Sequence, residues 1–86
     1  MTTRVAVMAI IVEKEAKVEE LNKTLSEYAD YIIGRMGIPY KERGINIISV
    51  AIDAPQDAIS ALAGRIGNLA GVSIKTAYSQ ISSEEA

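Results

Sequence analysis

Arg4-Val5-Ala6-Val7-Met8-Ala9-Ile10-Ile11-Val12, followed closely by EAKVEELNKTLSEYAD over residues 15–30, decides the fold. The first nine residues are rich in Val and Ile, the composition of a strand. Both alternating sets are apolar: Val5, Val7, Ala9 and Ile11 on one side, Ala6, Met8, Ile10 and Val12 on the other. A strand of that kind is expected to be covered on both faces. The period then changes. Val18, Leu21, Leu25, Tyr28 and Ile32 recur at steps of three and four, which places them on one face of a helix. Glu13–Lys17 and Glu19–Lys23 have the favourable Glu-before-Lys spacing on its solvent side.

Working outward, residues 31–38 (YIIGRMGI) read as a second strand, interrupted by Gly34 and Gly37. Glycine inside a strand signals a bulge, a bend or the close approach of another backbone. Pro39 and Gly44 then bracket a polar turn, PYKERG, and residues 45–53 (INIISVAID) form a third strand. Asp53-Ala54-Pro55 opens a second helix, with Asp53 as its expected cap. Ile59, Leu62, Ala63, Ile66 and Leu69 form the buried stripe of that helix, and Gly64 within it points to close helix–sheet packing. Residues 72–79 (VSIKTAYS) alternate cleanly between an apolar and a wet side, and the tail SSEEA is expected to fray.

The order is βαβ followed by βαβ. Right-handed crossovers in both halves give an α+β, ferredoxin-like βαββαβ fold: a four-stranded antiparallel sheet with two helices on one face. It accounts for residues 1–86 as one domain, with no linker. The helices of this architecture cover only one sheet face, yet the first and third strands are apolar on both. The uncovered face is therefore expected to pack, by face or edge, against another subunit. A chain of 86 residues with no disulfide also gains from such packing, because small cores barely offset the entropy of ordering.

Composition removes most chemistries. The chain has no Cys and no His, so the usual zinc, nickel, copper, haem and iron–sulfur ligands and the usual nucleophile–His arrangements are missing. No metal, no cofactor and no enzymatic activity are expected. The formal net charge is −2, which argues against direct nucleic-acid binding. The longest apolar run, Val5 to Val12, is eight residues, far short of the roughly 20 that span a bilayer. There is no basic, then apolar, leader at the start, so a cytoplasmic protein away from membranes is expected. Gly34-Arg35-Met36-Gly37 has the wrong spacing for a phosphate loop. Arg35, Lys41 and Arg43 form a small basic cluster near the central turn, either a patch for an anionic ligand or partner, or ordinary turn solvation and inter-subunit pairing. Tyr28 and Tyr78 read as core, and Tyr40 as a turn residue available to an interface.

At Asp30–Tyr40 (DYIIGRMGIPY), followed by Gly44–Val50 (GINIISV), the chain resembles the small proteins known as iron-only hydrogenase system regulators. The opening Arg4–Val12 and the stretch from Leu62 to Lys75 agree with this. The resemblance spans essentially the whole chain and is most specific around Gly34–Pro39. It implies an ACT-like domain similar to the C-terminal regulatory domain of the nickel-responsive repressor, a kind of domain that assembles through its sheets. That repressor holds its metal through His and Cys, which this chain lacks, so nickel binding does not transfer. The repressor also has a DNA-binding segment ahead of its regulatory domain; here the first strand begins by residue 4, and no such segment is expected. Amino-acid-binding ACT domains carry a Gly-containing turn after the first strand, where this chain has Glu13-Lys14-Glu15, so amino-acid binding is not expected either. The resemblance implies a regulatory, transcription-related or ligand-sensing homo-oligomer of a hydrogenase system, with a small molecule held between subunits. Gly34, Arg35, Met36, Gly37, Ile38, Pro39 and Tyr40 are its expected ligand-binding or interface residues. The alternative is a structural accessory protein that binds a hydrogenase-maturation or electron-transfer partner.

Overall fold

A computed structural model describes residues 2–13, 16 and 18–80. The expected Glu13–Lys17 pair and the fraying tail lie outside the described residues. The elements are β1 (Arg4–Val12), α1 (Val18–Glu27), β2 (Ile32–Tyr40), β3 (Ile45–Ala54), α2 (Gln56–Gly67) and β4 (Val72–Tyr78), with one 3-10 turn at Ala29–Tyr31. The strands lie in the order β2-β3-β1-β4. All neighbours are antiparallel, as the ferredoxin-like fold requires.

The alternation in β1 sorts its residues as read. Ala6, Met8, Ile10 and Val12 face the helices and are buried, together with Ile48, Val50, Ile52 and Ala54 of β3. Leu21 and Leu25 of α1 and Ile59, Leu62 and Ile66 of α2 close the core from above. Thr24 is buried among them, and its hydroxyl donates to the Glu20 carbonyl one turn back, so the polar group is satisfied. Tyr28 and Tyr78 only pack against the edge of the core, half-buried. The phenol of Tyr78 accepts a hydrogen bond from Gln56 and lies under the Arg4 guanidinium, 4.1 Å from the ring centre.

Three local expectations fail for physical reasons. Pro39 and Tyr40 belong to β2 rather than to the turn, which is confined to residues 41–44. Proline is tolerated there because β2 is an edge strand. Asp53 does not cap α2; it continues β3, opposite Val5. The helix instead starts after extended Pro55, and the Asp57 carboxylate accepts from the Ala58 N–H inside the first turn. Gly64 marks no close packing: a Cβ built there meets nothing within 4 Å, and its φ is not positive. Gly64→Ala is accordingly expected to stabilise the chain by about 1 kcal/mol through helix propensity alone. Urea unfolding checks this, and an unchanged or lower midpoint refutes it.

The helices are clamped to each other on the surface by Arg65 and Glu27, which pair through two hydrogen bonds, the shorter 2.9 Å. The hydrogen bond from Arg65 holds the Glu27 carboxyl below its ordinary range. The small ionic contribution of this pair is present at neutral pH and fades as the pH falls through that lowered range.

Candidate functional site

The seven expected site residues, Gly34 to Tyr40, all lie on β2, and the register of β2 on β3 divides them. Arg35, Gly37 and Pro39 pair with Val50, Ile48 and Asn46. Val50 and Ile48 are core residues, so this row faces the helices. Met36, Ile38 and Tyr40 pair with Ser49, Ile47 and Ile45 and stand on the opposite, helix-free face. Gly34 sits at a bulge: the register skips one residue between Ile32 and Gly34. The segment therefore presents two sets of side chains, back to back on one strand.

The open face is an apolar sheet surface. Across it run Ile38, Ile47 and Ile11 in one row, Met36, Ser49 and Ala9 in the next, then Ala51, Val7 and Ala77. Met36 is 60% exposed and Val7 44%. Charged groups stand only at the rim, with Lys75 beside Ala9 and Asp53 opposite Val5. Lys41 and Arg43 lie in the β2–β3 turn at one end, exposed, and are not drawn toward Arg35. The three cations do not form one patch, because Arg35 points to the helix side.

On that helix side, β2 is not covered. The helices sit over β1, β3 and β4, and a cleft of about 290 Å³ remains between the start of α1 and the far half of β2. Its walls are Val12, Val18, Pro39 and Ile48, with Gly37 and Ile38, whose side chain faces away, between them and three polar side chains, Asn22, Arg35 and Asn46. Arg35 reaches α1 and donates to Asn22 Oδ1 at 3.3 Å. Sequence reasoning singled out Arg35, Gly37, Ile38 and Pro39; it missed Asn22 and Asn46, which read as ordinary polar positions on a helix and a strand. Only the β2–β3 register and the placement of α1 bring those amides to the cleft. Among the described residues no three acidic, His or Cys side chains gather to hold a metal ion. Among the described residues no helix is long and apolar enough to cross a membrane.

The family profile described as "TM1266-like: Iron-only hydrogenase system regulator, putative" matches residues 4–76. Among solved structures, the uncharacterized protein TM1266 from Thermotoga maritima superposes with a TM-score of 0.85 at 31% identity, over 88% of this chain and 96% of that one. A formyltetrahydrofolate deformylase from Pseudomonas putida KT2440 superposes with a TM-score of 0.59 at 17% identity. It covers 84% of this chain but only 28% of its own length, a likeness of fold alone. No curated protein matches the sequence.

Proposed function

We propose, for a chain that belongs to the TM1266-like family of iron-only hydrogenase system regulators, a non-catalytic regulatory role. In this reading it is a cytoplasmic, ACT-like module that self-assembles through its open sheet face and senses a small molecule beside that interface. The observation that carries this is the division of β2. One strand presents Met36, Ile38 and Tyr40 to the face where a second copy docks, and Arg35, Gly37 and Pro39 to a cleft. The two surfaces share one strand, so a ligand in the cleft lies one residue from the side chains that would meet a second copy.

A second copy is the occupant that suits the open face. The surface is apolar at its centre and charged only at its rim, the anatomy of a protein–protein interface. Packing it on itself about a two-fold axis needs no other chemistry. Assembly by the β2 edge is less favourable, because Pro39 removes a donor there and the bulge interrupts the ladder. Regulation in this reading runs through a ligand and a partner protein, not through direct contact with nucleic acid, in keeping with the net charge of −2.

Native mass spectrometry of the purified chain tests the proposal. The expected result is a mass of two or more times the 9.2 kDa chain mass. A reproducible added mass of small-molecule size would identify a retained ligand class. A monomer at micromolar concentration would overturn self-assembly and leave the open face to an accessory partner of the hydrogenase system.

A further inference from the structure

The cleft between α1 and β2 has a chemistry specific enough to name what it takes. We propose that it binds a small organic monoanion, a carboxylate on a short branched apolar body, with Arg35 as its counter-ion. This deepens the sensing role above and rests on it only for its regulatory meaning.

Three observations support it. First, Arg35 is a solvent-exposed cation at the cleft that meets no carboxylate among the described residues; it donates to the neutral amide of Asn22 at 3.3 Å. That is a long bond for a guanidinium, and a bidentate carboxylate replaces it with shorter, charge-assisted ones. Asn22 and Asn46 also line the cleft, and their side-chain amides carry N–H groups able to donate to an anion. Second, the rest of the lining is apolar: Val12 and Ile48 belong to the core, and the exposed Val18 and Pro39 line the cleft beside them. The volume of about 290 Å³ lies at the bottom of the range for small-ligand sites, so the apolar body is a few carbons. Third, Gly37 adds no side chain of its own to the space. Gly37 lines the cleft, and a Cβ added there meets no protein atom within 4 Å. Its φ is not positive and its neighbours leave room, so neither turn geometry nor crowding requires glycine. What a side chain at this position would occupy is the cleft itself.

Among the described residues the lining contains no Asp or Glu. The ammonium of a free amino acid would be brought beside a guanidinium with no carboxylate to receive it. The site therefore selects the plain carboxylate over its α-amino counterpart.

Isovalerate, valine and isovaleramide share a branched body and differ at those groups. Each is titrated into the full-length 15N-labelled chain, following backbone amides by NMR, with sedimentation velocity on the same samples. Isovalerate is expected to give saturable shifts clustered at Asn22, Arg35, Gly37 and Asn46. Isovaleramide and valine are each expected to bind roughly tenfold more weakly or worse, the size of one charge-assisted hydrogen bond. Arg35→Gln should weaken isovalerate by a similar factor, and Gly37→Val should abolish the shifts while leaving the spectrum otherwise folded. Absence of saturable shifts, or a response unchanged in Arg35→Gln, overturns the proposal. Equal binding of valine overturns the selectivity. The sedimentation arm separates the two readings. A monomer that still binds isovalerate overturns self-assembly but not this site, whereas an assembled protein that ignores isovalerate overturns this site alone.

Discussion

Val7→Glu is expected to leave the chain folded and to dissolve its assembly. Val7 stands in the middle of the open face, between Ala51 and Ala77, and is 44% exposed in the single chain. A carboxylate there remains hydrated in the monomer, so the fold loses at most about 1 kcal/mol of strand propensity. Two copies packed face to face would instead bury like charges near the centre of the contact. That costs several kcal/mol, which at about 1.4 kcal/mol per tenfold weakens assembly by roughly a hundredfold or more. Sedimentation velocity over a concentration series reads the change, and circular dichroism confirms the fold. Ala61→Glu, on an exposed position of α2, is the matched control and should leave the assembly intact. An unchanged sedimentation profile for Val7→Glu would move the interface elsewhere.

Leu62→Ala is expected to produce the largest loss of stability. Leu62 is 0% exposed and sits in the middle of α2, where it faces the sheet core. Truncation removes buried methyl groups and leaves a cavity, at a cost of about 2–5 kcal/mol. A domain of this length has roughly 4–13 kcal/mol in total, so the loss takes a large share of it. The midpoint of thermal unfolding should fall by roughly 10–30 °C. The comparison belongs in the Val7→Glu background, since assembly would otherwise add stability by mass action. A loss below about 1 kcal/mol would mean that α2 does not close the core as described.

The elements were legible in the sequence because each carries an unambiguous period. Val18, Leu21 and Leu25 cannot be read as a strand, and Ala6, Met8, Ile10 and Val12 separate by simple alternation. The apolar second face of β1 likewise announced a surface the helices would not cover. Less legible was anything set by pairing rather than by composition. Pro39 reads as a breaker, and only an edge position lets it stay in β2. Asp53 has the chemistry of a cap, but its pairing with Val5 keeps it in the ladder. Asn22 and Asn46 have nothing in their local sequence to mark them, since the cleft that joins them exists only once α1 lies across the sheet. The stretch from Gly34 to Tyr40 was found as a unit, but its division between two faces is a property of register. A run of seven residues does not state which of its members point up.

That division hangs on a single extra residue. Between Ile32 and Gly34, β2 spends one position more than β3 does. Beyond this point the odd-numbered side chains Arg35 and Pro39, with Gly37, look toward α1, and Met36, Ile38 and Tyr40 look away. Keep Ile33 but run the ladder straight on from Ile32, without the bulge, and the parity of everything after it inverts, because strand side chains alternate with a strict period of two. Arg35 would then stand among the apolar groups of the open face, and Met36 and Ile38 would fill the cleft. A slip of one residue in the pairing would here exchange the molecule's wet recess for its sticky side in a single step, whereas deletion of Ile33 would leave both in place.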